Sequence, residues 1–397
     1  MTTSPSQFGG SDVPGNVHVA IACGGTGGHL YPGLAVAERL WEAGARVTLV
    51  VSPKEVDQQA LRGDGRFELL TLPAVGLSGG RWIRFVRASY RSYRIARRAF
   101  RESRPGVLLS MGGFTSVPPA WAVRRGGGVV LLHEANAIPG RANRWLARWA
   151  RRGFVYFPEA APRLPLKDVE VVGMPVRGAF RGLDVGACRM VLGLRPDRPV
   201  LLVMGGSQGA VGVNDAVLGA AARIAAGVAG VQCLHLTGAA DEARVRSGYA
   251  ERKIGAVVRP FLTEMELAMG AADAAVSRAG ASSAAELAAV GVPSLLIPYP
   301  HAADDHQTAN ARALEKSGAA TWMRQADADP ETLAGVVVGL LTDEAWRARL
   351  RAGWQAWDRP DADQILADRV MAEVAPTVMR HVATGGGGVS TEGVTAA

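Results

Sequence analysis

The segment that decides the fold is Val17 to Leu40, VHVAIACGGTGGHLYPGLAVAERL. Val17 to Ala22 is short and mostly apolar, which predicts a buried strand. The glycine-rich turn from Gly24 to His29 follows directly, and Tyr31 to Ala43 then shows the pattern of a helix. Glycines let a backbone approach a ligand closely, and a helix N-terminus offers unpaired N–H groups. This turn is therefore a candidate site for an anion or a sugar, although a tight strand-to-helix turn without a ligand has the same spelling.

The same arrangement occurs a second time in the chain. Pro199 to Met204 predicts a strand, a second glycine turn follows, and Val213 to Ala226 predicts a helix. Short apolar runs alternate with helical patterns throughout, which favours parallel sheets covered on both faces. The further predicted strands are Arg46–Val51, Val107–Ser110, Gly128–His133, Val169–Val172, Val231–Leu236, Ala274–Val276 and Ser294–Ile297. The fold class is thus α/β, with two Rossmann-like domains and a ligand cleft between them.

Length and composition agree with two domains. A chain of 397 residues exceeds the usual size of a single core. The segment from Gly173 to Asp184 contains Pro, Gly and Arg and predicts the linker, while residues 1–16 and 384–397 have little to bury and predict disorder. Stretches of about 18 apolar residues are absent from the sequence, so we expect no membrane span. Three scattered cysteines give neither a disulfide framework nor a zinc cluster, which fits a reducing cytoplasm.

The basic residues are concentrated in one helix. The net charge is +8, and the segment Arg81 to Arg101 holds eight arginines and no acidic residue. On a helical wheel six of them, from Arg84 to Arg101 in steps of three and four, form one stripe, and an apolar stripe lies beside it that we expect to pack inward. The stripe includes the four arginines assigned to a membrane-facing surface, Arg84, Arg87, Arg91 and Arg94. An anionic membrane surface is the expected partner; nucleic acid is not, because no recognition module accompanies the stripe.

The second glycine turn, Gly205 to Gly209, supports two interpretations. Its spelling contains G-x-S-x-G, the nucleophile elbow of α/β-hydrolases, with Ser207 as the nucleophile. The alternative is phosphate binding, with Ser207 and neighbouring amides facing a diphosphate. The repeated architecture favours phosphate, since a hydrolase would leave the N-terminal half unexplained.

Two later segments predict further parts of the cleft. The loop from Ser277 to Ser283 leads into a helix that carries Glu286, a carboxylate placed to accept two ribose hydroxyls or simply to complement the helix dipole. The polar segment Pro298 to Gln307 follows a strand end, where parallel sheets bind ligands. Two D-x-D patterns, at Asp327 and at Asp361, lie in predicted surface turns, and we assign no metal and no cofactor.

Together these segments resemble the MurG family, which makes the lipid-linked disaccharide of peptidoglycan on a GT-B scaffold. The similarity runs from about Val17 to about Ala375. The segments that carry it are Gly24–Gly33, Met111–Phe114, His133–Asn136, Gly173–Arg177, Gly205–Ala210, Ser277–Glu286 and Asp304–Asn310. The sequence departs from the family pattern at Phe114, Met174 and His306.

The resemblance implies a donor, UDP-N-acetylglucosamine, and an acceptor, a muramyl pentapeptide on a polyprenyl diphosphate. It implies an acceptor- and membrane-facing domain at 17–175, a donor domain at 176–365, and a helix at 366–383 that returns to the first domain. Glu286 would hold the ribose, Leu262 the uracil, Ser207 and Arg177 the diphosphate, and Gln307 the sugar. The other donor contacts would come from Thr26, Gly27, Gly28, Asn136, Ala281, Ser282 and Ser283.

The same resemblance implies an inverting transfer at the cytoplasmic face of the membrane. Attack by the muramyl C4 hydroxyl on an α-linked donor gives a β-1,4 link, which needs no covalent enzyme intermediate but does need a base. His29 is the first candidate, because a neutral imidazole is available near pH 7 and the turn faces the cleft. Glu134 is the second.

Overall fold

The structure is a computed structural model that describes residues 17–54, 57–58, 61, 64–73, 82–206 and 209–385. Two parallel sheets, each covered by helices, form two α/β domains. The predicted disordered segment 1–16, most of the predicted tail (386–397) and Ser207 lie outside the described residues.

The N-terminal sheet has seven parallel strands in the order β3-β2-β1-β4-β5-β6-β7. The strands are β1 His18–Ala22, β2 Arg46–Val51, β3 Glu68–Thr71, β4 Val107–Ser110, β5 Val129–Glu134, β6 Arg152–Val155 and β7 Val169–Val171. The helices of this domain are α1 Gly27–Glu42, α2 Trp82–Ser103, α3 Val117–Arg125 and α4 Arg141–Leu146. Strand β1 is buried along its whole length, as expected of a parallel strand with helices on both sides.

The C-terminal sheet has six parallel strands in the order β10-β9-β8-β11-β12-β13. The strands are β8 Val200–Met204, β9 Gln232–Leu236, β10 Ala256–Arg259, β11 Ala274–Ser277, β12 Ser294–Leu296 and β13 Thr321–Trp322. The helices are α5 Val185–Val191, α6 Val211–Gly227, α7 Glu242–Glu251, α8 Met265–Ala271, α9 Ala281–Val290, α10 His306–Lys316, α11 Pro330–Thr342 and α12 Glu344–Trp357.

The last helix, α13 (Ala362–Gly385), packs on the N-terminal domain. Leu366 and Val370 are buried in the same apolar cluster as β1 and α1. Arg39 of α1 bonds Asp363 at 2.8 Å, and Arg369 donates two hydrogen bonds to Glu170 at the end of the N-terminal sheet. The chain therefore crosses between the domains twice, and its last helix packs on the N-terminal domain.

Glycine is required at the second turn by close packing. The backbone of Gly209 has φ +75°, and a Cβ atom there would lie 2.1 Å from the carbonyl oxygen of Thr237. Any side chain would have to displace the end of β9. The end of the glycine turn after β8 is thus packed directly against the end of the neighbouring strand.

Two expectations from the sequence differ from the structure. Helix α1 begins at Gly27, not at Tyr31, because Thr26 takes the extended conformation of an N-cap and the glycines already follow helical geometry. The apolar stripe of α2 packs inward only in part: Ala96 and Phe100 are buried, but Val86 and Tyr90 are 50% and 62% exposed. Helix α2 has 22 residues and packs on α3, which has nine.

Candidate functional site

A cavity of about 650 Å³ lies between the carboxyl ends of the two sheets. Every sequence-predicted cleft residue that the structure describes lines it. They are Thr26, Gly27, Gly28, His29, Glu134, Asn136, Arg177, Leu262, Ala281, Ser282, Ser283, Glu286 and Gln307. The two domains almost touch here, since a Cβ on Gly28 would lie 3.9 Å from that of Ser282. The ligand groups that these residues contact stay predictions.

The first glycine turn is held by side chains from the rest of its domain. The amide of Gly25 donates to Asp57 at 2.8 Å, and its carbonyl accepts from Lys54 at 2.6 Å. Thr115 donates to the carbonyl of Gly24 at 2.7 Å. These bonds hold the turn in place, and the amides of His29 and Leu30 both donate to the carbonyl of Thr26 at 3.1 Å as α1 begins.

His29 packs flat against a pair of glycines. Its ring atoms lie within 3.1 to 3.6 Å of the positions that Cβ atoms on Gly112 and Gly113 would take. Both glycines have positive φ, +107° and +75°. Burial lowers the pKa of His29 below its usual value of 6.5, so the imidazole is neutral at pH 7 and able to accept a proton.

Glu134 is fully engaged with the loop that follows it. One carboxylate oxygen accepts from the amide and side chain of Asn136, and the other accepts from the amide of Gly140 and the side chain of Asn143. Burial raises the pKa of Glu134, and these four donors act against that rise. This arrangement orients Asn136 toward the cavity, and it leaves Glu134 poorly placed to take a proton from a substrate.

Asn310 joins the two domains. It lies on α10 of the C-terminal domain and is completely buried. Its side-chain oxygen accepts from the amide of Ala137 at 2.9 Å, and its side-chain nitrogen donates to Asn136 at 3.1 Å and to the carbonyl of Ala279 at 3.0 Å. The loop after β5 is therefore locked to the loop before α9 through a single amide.

Among the acids that line the cavity, Glu286 has the most strongly shifted pKa. Its side chain makes no hydrogen bond within the described part of the chain, and burial raises its pKa to about 7, which Arg177 partly opposes and Glu266 reinforces. A half-buried carboxylate without donors is unfavourable in the free protein. It is well suited to a ligand that supplies hydroxyl donors.

Arg177 lies between three partners. It donates to Glu266 at 3.0 Å, and its guanidinium lies 5.0 Å from the ring centre of Tyr31, on α1 of the other domain. It is also close enough to Glu286 to lower the pKa of that carboxyl. The linker between the domains therefore brings a cation to the centre of the cleft.

The sequence interpretation missed several cleft residues. Tyr31, Asn143, Glu266 and Asn310 were given no role. Two of them carry a local signal: Tyr31 follows Gly27 by four positions and Asn310 follows Gln307 by three, so each shares a helix face with a predicted residue. The ion pair between Arg141 and Asp304 across the cleft has no such signal in the local sequence.

The aspartates of the D-x-D spellings have structural partners. Asp329 accepts from the amides of Glu331 and Thr332 as the N-cap of α11, and Asp363 pairs with Arg39. Within the described residues there is no group of three or more His, Cys, Asp or Glu side chains arranged to hold a metal ion.

Comparison with known proteins identifies the class. Residues 19–155 match the family model of the glycosyltransferase family 28 N-terminal domain, and residues 200–352 match that of the family 28 C-terminal domain. Two Rossmann-like domains, a cleft between them and these two matches define a glycosyltransferase of the GT-B type, as the sequence predicted.

Individual relatives identify the family within this class. The chain is 42% identical over 334 residues to the UDP-N-acetylglucosamine–N-acetylmuramyl-(pentapeptide) pyrophosphoryl-undecaprenol N-acetylglucosamine transferase of Acidithiobacillus ferrooxidans, covering 83% of this chain and 91% of the relative. The enzyme of the same name from Sorangium cellulosum is 39% identical, covering 90% and 88%. The crystal structure of Acinetobacter baumannii MurG superposes with a TM-score of 0.71 at 27% identity, covering 90% and 99%. This chain belongs to the MurG family.

Family membership favours the transferase over the hydrolase suggested by G-x-S-x-G. The surroundings of the second turn agree. His235 is buried with its two ring nitrogens 3.0 Å from Asn214 and Tyr249, so this histidine is committed to the core. It has no free nitrogen with which to activate a serine.

The substitution Glu286→Gln tests whether the raised pKa of this acid lowers the stability of the folded protein. The pKa of this carboxyl is about 7 in the folded protein and its ordinary value is 4.5. The free energy of unfolding therefore falls as pH rises between these values, because the unfolded chain releases the proton at lower pH. The wild-type protein should lose roughly 3 kcal/mol between pH 4.5 and pH 7 from this group, and the variant should not. Urea unfolding at pH 5 and pH 8 measures the difference. Parallel pH dependences of wild type and variant would contradict it; exposed Glu331→Gln is the matched control.

Proposed function

We propose that this protein transfers N-acetylglucosamine from UDP-N-acetylglucosamine to the C4 hydroxyl of the muramyl sugar of N-acetylmuramyl-(pentapeptide) pyrophosphoryl-undecaprenol. The product is the β-1,4-linked lipid disaccharide used in peptidoglycan synthesis. The names of the curated relatives support the reaction. The observation that carries the proposal is a cavity to which both domains contribute helix N-termini, with the carboxylate of Glu286 on one side and the neutral imidazole of His29 on the other.

In this proposal the donor lies mainly on the C-terminal domain. Glu286 accepts hydrogen bonds from the two ribose hydroxyls, which replaces the donors that it lacks in the free protein. Leu262 contacts the uracil, and Gln307 contacts the sugar. The first turn of α9 and the second glycine turn, with Ser207, face the diphosphate. Thr26, Gly27, Gly28 and Asn136 close on the donor from the N-terminal domain.

The chemical step is a single displacement. The C4 hydroxyl oxygen of the acceptor attacks the anomeric carbon, and the bond from that carbon to the diphosphate oxygen breaks, so UDP leaves with the electron pair. The hydroxyl proton passes to His29. The negative charge on UDP is stabilised by amides at the N-terminus of α9 and by Arg177. Configuration at the anomeric carbon inverts from α to β.

His29 is the better base of the two candidates. Its imidazole is neutral at pH 7 and lies beside the backbone of Gly112 and Gly113. Both oxygens of Glu134 already accept hydrogen bonds, so a proton placed there would break contacts that hold Asn136. We therefore assign Glu134 to positioning of the 135–140 loop.

His29→Ala should lower kcat by about 10²-fold or more, the usual contribution of a general base, with the Kd for UDP-N-acetylglucosamine nearly unchanged. Steady-state kinetics and calorimetry with the donor measure the two quantities. His301→Ala is the control, because His301 is exposed and outside the cavity lining. Near-normal turnover of His29→Ala would remove it from the role of base.

The α2 helix is the proposed membrane contact. Arg84, Arg87, Arg91 and Arg94 are exposed, and Ile83, Val86 and Tyr90 between them are 59%, 50% and 62% exposed. We call these seven residues the α2 surface. Exposed apolar side chains framed by arginines are typical of a surface that enters an anionic leaflet. The described part of the chain contains no helix long and apolar enough to cross a membrane.

We place this contact at the cytoplasmic face of the cell membrane. Cys23, Cys188 and Cys233 are all free and buried, which fits a reducing compartment. A polyprenyl-linked acceptor is confined to the bilayer, so a protein that is bound to the bilayer surface stays close to the acceptor. Attachment through α2 would keep the cleft near the acceptor throughout the cycle.

Replacing the four α2 arginines by Gln should release the protein from anionic vesicles. Each basic residue near an anionic leaflet contributes on the order of 1 kcal/mol, so the partition coefficient should fall by roughly 10²- to 10³-fold. Turnover of a short, water-soluble acceptor analogue should survive. Vesicle sedimentation measures the binding. The matched control carries the same charge change on exposed arginines of the C-terminal domain, Arg195, Arg198, Arg324 and Arg349. Unchanged vesicle binding of the α2 variant would show that another surface docks.

A further inference from the structure

The rim of the cleft contains a second cross-domain contact whose charges the proposed reaction does not use. Asp304, in the loop before α10, lines the cavity and accepts one hydrogen bond on each carboxylate oxygen. The donors are Arg141 at 3.0 Å and Arg144 at 2.5 Å, both on α4 of the N-terminal domain. Two guanidinium groups thus converge on one carboxylate at the mouth of the site.

The loop that delivers Asp304 has an unusual backbone. Asp304 and Asp305 are both in the left-handed region, with φ +52° each. Side-chain-bearing residues rarely adopt this conformation, and two in succession are rarer. Asp305 is the N-cap position of α10, so the strained pair lies directly before the turn that carries Gln307. The ion pair with α4 helps to hold this loop against the opposite domain.

The contact is poorly suited to a purely structural role. Arg141 and Arg144 are 62% and 41% exposed, and Asp304 is 30% exposed. Ion pairs with this much solvent contribute little to stability. Two cations share one anion, so the cluster keeps an excess positive charge. A group with more negative charge or more oxygens would satisfy both guanidiniums better than one carboxylate does.

The position of α4 indicates where such a group comes from. Arg141 lines the cavity, whereas Trp145, one turn further on, is 42% exposed. Phe114 lines the cavity too, and its ring meets Phe85 of α2 edge-on at 5.5 Å. The N-terminal wall of the cleft therefore continues to helix α2, the helix that carries the α2 surface. An acceptor with its lipid tail at that surface and its sugar at His29 must pass its anionic portion between them.

We propose that Arg141 and Arg144 form a binding site for an anionic group of the acceptor, and that Asp304 occupies this site when no acceptor is present. The proposal rests on the proposed function. The group is a diphosphate or a peptide carboxylate, which share the oxygen chemistry that paired guanidiniums recognise. Binding of the acceptor displaces Asp304 and frees the 303–305 loop from α4. The aspartate is thus an internal competitor of the substrate.

The test uses kinetics of the full chain with a short-chain, water-soluble polyprenyl-diphosphate acceptor, which makes membrane attachment irrelevant. R141Q/R144Q should raise the KM for the acceptor about tenfold and leave the KM for UDP-N-acetylglucosamine within about twofold. The matched control R324Q/R349Q changes the same charge at exposed positions of the C-terminal domain and should leave both constants unchanged. An unchanged acceptor KM in R141Q/R144Q would overturn the proposal.

A substitution of Asp304 is the more specific part of the test. D304N should lower the acceptor KM about threefold, because the competitor has lost its charge. In the R141Q/R144Q background the same substitution should have no effect, since there is no longer a site to compete for. A decrease of equal size in both backgrounds would refute competition.

An acceptor with amidated peptide carboxylates separates the two sources. If R141Q/R144Q still raises the KM for this acceptor, the diphosphate occupies the site; if the effect disappears, a peptide carboxylate does. Both outcomes support the site. A wild-type protein that makes no disaccharide from any of these acceptors would instead refute the proposed function, so the two failures are distinguishable.

Discussion

The active cleft depends on one buried amide. Asn310 bonds Asn136 and Ala137 of one domain and Ala279 of its own. Buried amide groups that lose their partners cost about 1–3 kcal/mol each, so a small change in domain separation is opposed at this point. Glu134 holds the other end of the contact, because its four hydrogen bonds fix the loop that presents Asn136. Domain spacing and loop geometry are therefore set by the same set of bonds.

With that spacing fixed, the proposed chemistry uses two groups whose pKa values are shifted by burial. Glu286 is a carboxyl whose pKa burial raises to about 7, and His29 is an imidazole whose pKa burial lowers. The ionised form of Glu286 is disfavoured in the free protein, whereas the neutral form of His29 is favoured. In the proposed reaction a ribose would supply donors to the carboxylate, and the acceptor hydroxyl would supply a proton to the imidazole. The site thus exchanges some stability for readiness to bind and react, as active sites commonly do.

The sequence predicted those features that local pattern determines. Strands Arg46–Val51 and Val107–Ser110 have the predicted bounds, because buried parallel strands are continuous apolar runs. Strand β3 was missed since Glu68 to Thr71 is largely exposed and has no such run. The cross-domain role of Asn310 was missed for a different reason: its partner Asn136 lies 174 positions away, and periodicity carries no information over that distance. The exposure of Val86 and Tyr90 likewise depends on which elements α2 contacts in the folded chain, and a helical wheel does not contain that information.

The central claim is that residues of both domains contact a bound UDP-sugar at the same time. Amide hydrogen exchange in the presence of saturating UDP-N-acetylglucosamine tests it most directly. The account predicts slower exchange in two places together, residues 24–30 of the N-terminal domain and residues 280–286 of the C-terminal domain, with helix α12 unaffected. Protection confined to one domain, or absent from both segments while the donor is bound, would contradict it.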